Sequence, residues 1–154
     1  MRTFDQWMSE YGVSHRNPTN MLIHKICVPL IMLSVVGLIF ALPTPAAFDG
    51  FAPYLNWASL FIAACLGFYL TLNFTMFVGM LILTSIMWWI SWKFEQAGIL
   101  IPAMVAIFVV SWIAQFYGHK VEGKKPSFLQ DIVFLLIGPL WFMRFVYQKL
   151  GVKF

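Results

Sequence analysis

The chain has 154 residues, of which 61% are hydrophobic and only 10% are charged, and its mean hydropathy is +0.81. Soluble domains carry close to a quarter charged residues, so this composition excludes a soluble globular protein and indicates an integral membrane protein. The length predicts a single domain over residues 1–154. The formal net charge of +4 is spread in a way that favours contact with anionic lipid and argues against binding of nucleic acid.

Apolar runs of about 20 residues are long enough to cross a bilayer as helices, and they predict an all-α polytopic bundle. Residues 26–42 form the first predicted span, which the prolines that follow bring to an end. Residues 51–92 are too long for one span and predict two, with a tight turn at Leu72-Asn73. Residues 98–117 predict a fourth span.

Residues 128–145 form a weaker apolar segment that contains Asp131, Pro139 and Arg144. An ionised aspartate in the hydrocarbon would cost ~2.5–3.5 kcal/mol on insertion scales. If four helices span and the N-terminus is cytoplasmic, every Lys and Arg except Lys93 lies on the cytoplasmic side; a fifth crossing would move three of them outside. The positive-inside rule therefore predicts a last helix that lies in the interface or re-enters, with a full crossing as the alternative.

All three histidines lie in or beside two polar segments of this apolar chain. In the first segment, Asn17-Pro18 is typical of a helix start, with the asparagine as N-cap. Asn20 and His24 follow, four residues apart and therefore on one helix face. His15 precedes the cap, on a loop or a short amphipathic helix that can bring it over the helix end.

The second polar segment follows the fourth predicted span. Gln115, His119 and Glu122 share a face if the helix continues past Gly118. The number of crossings predicts that both segments lie at the same membrane face, so three imidazoles and at least one carboxylate can meet there. Such ligands suit Fe(II), Zn(II) or Mn(II). The alternative is that each histidine simply tolerates the interface, with no metal.

These same residues resemble a known family. His15-Arg16-Asn17-Pro18-Thr19-Asn20, His24 with Val28-Pro29-Leu30, the stretch from Gln115 to Ser127, and Gly138-Pro139-Leu140 are similar to motifs of the 2-hydroxy fatty acid dioxygenases. The eukaryotic members of that family act in the endoplasmic reticulum, in the breakdown of phytosphingosine. The motifs here resemble its bacterial branch, which implies an inner-membrane protein. The positive-inside rule and the number of crossings predict that its N-terminus and histidines lie on the cytoplasmic side.

The resemblance implies an Fe(II)- and O2-dependent enzyme that shortens a 2-hydroxy fatty acid by one carbon. It implies His15, His24 and His119 as catalytic metal ligands, with Glu122 as a possible fourth ligand and Asp131 as a less favoured one. For substrate binding it implies that Arg16 or Lys120 neutralises the carboxylate, and that Asn20 and Gln115 orient the groups of the site.

Two other classes of function stay open on the sequence alone. A haem-binding membrane protein would need histidine pairs within the spans, whereas these histidines lie at helix ends. A non-catalytic lipid-binding or scaffold protein would be indifferent to substitution of the histidines. Loss of iron on substitution of His24 or His119 would favour the dioxygenase over both.

Overall fold

The computed structural model describes residues 3–125 and 133–154. Throughout these two ranges the regular structure is helical, which confirms the predicted all-α class. The helices are α1 (Phe4–Gly12), α2 (Pro18–Phe40), α3 (Trp57–Leu72), α4 (Phe74–Gln96), α5 (Leu100–Glu122) and α6 (Phe134–Leu150), with a short 3-10 helix at Ala46–Phe51.

Three of the helices, α2, α4 and α5, have 23 residues each and are apolar enough to cross a membrane. Helix α3 is apolar but has only 16 residues, so the predicted number of spans stays a prediction. The composition and these three helices together indicate a membrane protein.

Helix α2 begins at Pro18, as the asparagine-proline pair predicts. The Asn17 side chain accepts a hydrogen bond of 2.9 Å from the backbone amide of Thr19, which satisfies one of the free donors at the helix start. The helix therefore begins before the apolar run that starts at residue 26. This early start places Asn20 and His24 in its first two turns.

The long apolar run divides at Asn73, which confirms the predicted turn. This residue ends α3, where its backbone amide donates to the Tyr69 carbonyl at 3.1 Å. It also begins α4, because its side chain accepts from the Met76 amide at 3.0 Å. With a single residue between them, α3 and α4 fold back and pack against each other.

Helix α5 continues past Gly118 to Glu122, which was the condition for Gln115, His119 and Glu122 to share a face, and it ends at Gly123 with a left-handed φ of 72°. It forms the most extensive helix–helix interface of the described residues, with α2. His24 near the start of α2 and His119 near the end of α5 have ring centroids 4.8 Å apart, so the two helices run antiparallel.

Helices α1 and α6 pack against each other and cover the end of the bundle where the histidines lie; we call this pair the cap. The Trp7 ring meets the Phe134 ring edge-on, with centroids 5.3 Å apart. The Tyr147 hydroxyl donates to the carbonyl of Thr75 at 2.7 Å, in the first turn of α4. Both ends of α6 therefore lie at the end of the bundle that contains the histidines.

That the last segment does not cross the membrane stays a prediction, as does the number of spans. The described helix begins at Phe134 and ends at Leu150, beyond the predicted end at 145, whereas the predicted start at 128 lies outside the described residues. Asp131, predicted as a less favoured ligand, lies outside the described residues.

Candidate metal centre

His15, His24 and His119 converge beneath the cap. Their ring centroids are 4.2, 4.8 and 5.5 Å apart, and their side chains are almost completely buried. One possible ligand nitrogen from each histidine lies within 4.8 Å of the others. Residues more than 90 positions apart in the chain thereby form a single cluster of nitrogen donors.

His15 is held by the helix that precedes it. Its Nδ1 lies 2.6 Å from the backbone carbonyl oxygen of Tyr11, and because a carbonyl only accepts, this nitrogen carries the hydrogen. The Nε2 atom then has the lone pair, and it is buried with no hydrogen-bond partner. Burial lowers the pKa of His15 to about 4, so the imidazole is neutral at pH 7 and free to act as a ligand.

The other two histidines complete a nitrogen donor set. His24 Nδ1 donates to the carbonyl of Asn20 at 3.0 Å, which leaves Nε2 as its free atom. Nδ1 of His119 is buried and has no hydrogen-bond partner. Metal-bound histidines commonly have their second ring nitrogen fixed by a backbone carbonyl, as seen here twice. The arrangement therefore fits a divalent transition metal such as Fe(II) or Zn(II).

Glu122 lies outside this histidine cluster and has other partners. Its Oε1 accepts from the backbone amide of Arg16 at 2.9 Å. Its Oε2 accepts from the amide of Asn17 at 2.8 Å and from the side-chain nitrogen of Asn20 at 3.1 Å. This carboxylate ties the end of α5 to the loop that carries His15. The geometry thus favours a positioning role for Glu122, and its role as a fourth ligand stays a prediction.

Two further polar side chains predicted for the site are buried in it. Asn20 is fully buried, and its Nδ2 also donates to the Ser14 carbonyl at 3.1 Å. Gln115 is 5% exposed, lines the cavity described below, and has an Oε1 without a hydrogen-bond partner. The side chains of Arg16 and Lys120 are exposed and do not line that cavity, so their positions do not support direct contact with a bound carboxylate.

A cavity of about 600 Å³ extends from the histidines into the bundle. Faces of α2, α5 and α3 line it, and so do Tyr11 and several residues between 133 and 139, in and just before the first turns of α6. The lining residues on the three faces are His24, Val28, Ile31, Met32 and Val35; His119, Phe116, Gln115, Trp112 and Phe108; and Tyr69, Cys65 and Phe61. The polar groups gather at one end and apolar side chains line the rest, which suits a molecule with a polar head and an apolar tail.

Sequence reasoning missed Tyr11 and the cavity. The Tyr11 ring stacks on the His15 ring, with centroids 4.0 Å apart and planes 12° apart. Their spacing of four residues is a signal that could have been used, although α1 ends at Gly12 and His15 lies beyond it. The helix faces that line the cavity could not be recognised in the sequence, because every long helix of this chain has apolar residues on all sides.

Comparisons with known proteins show which family this chain resembles. The family model for 2-hydroxy-palmitic acid dioxygenase Mpo1-like proteins matches residues 1–150, a range that includes all three histidines. The 2-hydroxy-palmitic acid dioxygenase MPO1 of Saccharomyces cerevisiae is 29% identical over 143 residues, which cover 92% of this chain and 78% of the yeast protein. No solved structure matches the chain.

Proposed function

The chain belongs to the Mpo1-like family, and on that premise we propose that it is a membrane dioxygenase that uses Fe(II) and O2 to shorten 2-hydroxy fatty acids by one carbon. The observation that carries the proposal is the position of three buried imidazoles at the polar end of an otherwise apolar cavity. The name of the yeast relative supports the class of substrate.

His15, His24 and His119 would hold the metal through ring nitrogens that have no protein partner. Bound Fe(II) would supply a positive charge for the substrate carboxylate and electrons for the reduction of O2. The three ligands add no negative charge to the site. The protein contributes position: Tyr11 and the Asn20 carbonyl fix two of the imidazole rings, and the cap keeps bulk water away from this end.

The cavity would bind the substrate with its head group at the histidines and its tail among the apolar side chains. Gln115 lies one turn from His119 on the same face, and its amide offers both a donor and an acceptor. We assign it to the 2-hydroxyl and carboxylate of the substrate. Arg16 and Lys120 would act from the surface, where their charges attract an anionic fatty acid.

The proposed reaction balances with O2 as the only oxidant. The bond between C1 and C2 of the 2-hydroxy acid breaks, and C2 becomes the carboxyl carbon of the shortened acid. One 2-hydroxy acid and one O2 then balance against one fatty acid, one CO2 and one water. The cavity would hold the two reacting carbons beside the histidines and so provide the proximity that such a step requires.

We further propose an inner-membrane location with the histidines on the cytoplasmic side. Lys25, Lys120, Lys124 and Lys125 are at or near the histidine end of α2 and α5, whereas Lys93 is near the far end of α4. A positive-inside distribution of this kind favours a cytoplasmic position for the centre.

The test is to purify the protein without oxygen and to measure its metal content and its O2-dependent conversion of 2-hydroxypalmitic acid. We expect bound iron and a shortened acid for the wild type, and loss of both for His119→Ala. Lys120→Ala, the exposed neighbour, is the matched control and should keep its iron. Absence of metal in the wild type after reconstitution with Fe(II), or full iron content in His119→Ala, would refute the proposal.

The assignment of Gln115 is tested separately. Gln115→Leu preserves the approximate size of the side chain but removes both hydrogen-bonding groups. It should keep its iron and bind 2-hydroxypalmitic acid roughly tenfold more weakly, as expected for loss of a buried hydrogen bond. Unchanged affinity would remove this residue from the substrate site.

A further inference from the structure

We propose that the cavity binds a single acyl chain and selects it by length. Val35, Phe61 and Phe108 form the far end of the cavity and set the longest chain that it can hold. The inference rests on the proposed function for the identity of the head group. It goes further by naming the residues that select the chain length.

The depth of the cavity agrees with the thickness of hydrocarbon in one membrane leaflet. Eleven residues separate His24 from Val35, and eleven separate His119 from Phe108. At a helical rise of 1.5 Å per residue, each face is roughly 16 Å long. The hydrocarbon of one leaflet is about 15 Å thick, half of the bilayer core. The two faces are therefore about as long as the depth that one acyl chain occupies in a leaflet.

The two main faces fix the direction of the occupant. Among the lining residues of α2, His24, Val28, Ile31 and Val35 are spaced by four, three and four positions. On α5 the same spacing recurs in the opposite direction from His119 through Gln115 and Trp112 to Phe108. Because these helices are antiparallel, both faces have their histidine at one end and an apolar residue, Val35 or Phe108, at the other. Helix α3 follows the same order, from Tyr69 near the cap to Phe61 at the far end.

Direct helix packing closes the cavity beyond Val35. A Cβ atom added to Gly37 would lie 2.6 Å from Cγ of Met104, so α2 and α5 are in close contact here. Met104 is fully buried. On the other side, Val36 and Ala58 are fully buried in a cluster that joins α2 to α3. An acyl chain that reaches Val35 cannot extend further along α2 without displacing this packing.

The open side of the cavity faces the region where lipid would lie. Both α3 and α5 pack on α2, but no packed interface between α3 and α5 is found among the described residues. Phe61 and Phe116 line the cavity and are 36% and 53% exposed. The cap covers the histidine end. An apolar rim of this kind favours an acyl chain from the bilayer over a water-soluble ligand.

The experiment compares the binding of saturated 2-hydroxy fatty acids of increasing length to metal-free protein, by competition with a fluorescent fatty acid. Each buried methylene should raise the affinity about fourfold in the wild type until the cavity is full. In Val35→Trp this rise should stop at a shorter chain, while short acids bind as before. In Val35→Ala it should continue to a longer chain. Val110→Trp is the matched control, because Val110 is 66% exposed and does not line the cavity.

The two proposals fail in different ways. If affinity depended on chain length in the same way in the wild type, Val35→Trp and Val35→Ala, the proposed selection by length would be overturned, even if the wild type converts its substrate. If the dependence of affinity on chain length shifts as expected but the protein forms no shortened acid, selection by length would be supported and the proposed dioxygenase activity refuted. If Val35→Trp does not fold, Val35→Ala alone decides the question, since it only removes atoms.

Discussion

Tyr11 holds His15 by its backbone and by its side chain at once. The Tyr11 carbonyl accepts the hydrogen of His15 Nδ1 at 2.6 Å, and the Tyr11 ring lies nearly parallel to the imidazole at a centroid distance of 4.0 Å. The first contact selects the tautomer and the second restricts rotation of the ring. Helix α1, which supplies no nitrogen donor itself, thus orients the imidazole of His15.

Replacement of Tyr11 by leucine should weaken metal binding without abolishing it. The backbone contact remains, but the stacked ring is lost, and residues that orient a ligand typically contribute 10- to 100-fold to metal affinity. The measurement is a titration of the purified variant with Fe(II). Tyr11→Phe retains the ring and should bind as the wild type does; an affinity as low as that of Tyr11→Leu would show that the ring is not what matters.

Glu122→Gln should retain iron and lose stability. The amide still offers one acceptor oxygen, but the charge that holds the amides of Arg16 and Asn17 disappears. Hydrogen bonds to a charged group are stronger than neutral ones, so we expect a loss of roughly 1–3 kcal/mol. Thermal unfolding in detergent and metal analysis of the same sample measure the two effects. A stable protein without iron would instead identify Glu122 as a ligand.

Gly118→Ala should disturb the centre, whereas Gly67→Ala should not. A Cβ at residue 118 would lie 2.5 Å from the side-chain Oδ1 of Asn20. The backbone carbonyl of Asn20 accepts the hydrogen bond from His24. A Cβ at residue 67 would meet nothing within 4 Å. We expect a lower unfolding temperature and a lower iron content for the first variant and wild-type values for the second. Equal behaviour of the two would mean that close packing beside Asn20 is unimportant.

The side of the membrane on which the chain ends can be tested with single cysteines. Cys27 and Cys65 are buried, so the parent protein should react weakly with a membrane-impermeant maleimide. If α6 lies at the histidine end without crossing, cysteines placed at Asp49 and Phe154 should be labelled from opposite sides of the membrane. Labelling from the same side would show that α6 crosses.

Much of the fold follows from local signals that need no knowledge of packing. Asn17-Pro18 begins a helix because the cap and the proline each suit one position of a helix start. Asn73 divides the long apolar run because its side chain caps the second helix. The convergence of the histidines follows from counting crossings, since an even number of spans returns the chain to its starting side.

The parts that the sequence does not predict depend on the directions of side chains. The spacing of His119 and Glu122 places them on one face, but at a helix end the carboxylate can point to a metal or to a neighbouring loop, and here it holds the loop. Arg16 lies beside His15 in the sequence, yet its side chain is exposed. Charge and spacing are local quantities, whereas these orientations are set by the packing of the cap on α2 and α5.

The matching registers of the cavity faces constrain how related proteins can diverge. Successive residues of a helix are rotated by about 100°, so inserting one residue between His24 and Val35 would turn one of the two away from the cavity. The same holds between Phe108 and His119. Lineages that change their preferred chain length are therefore expected to do so by exchanging large and small side chains at the closed end, with both helical segments kept at constant length.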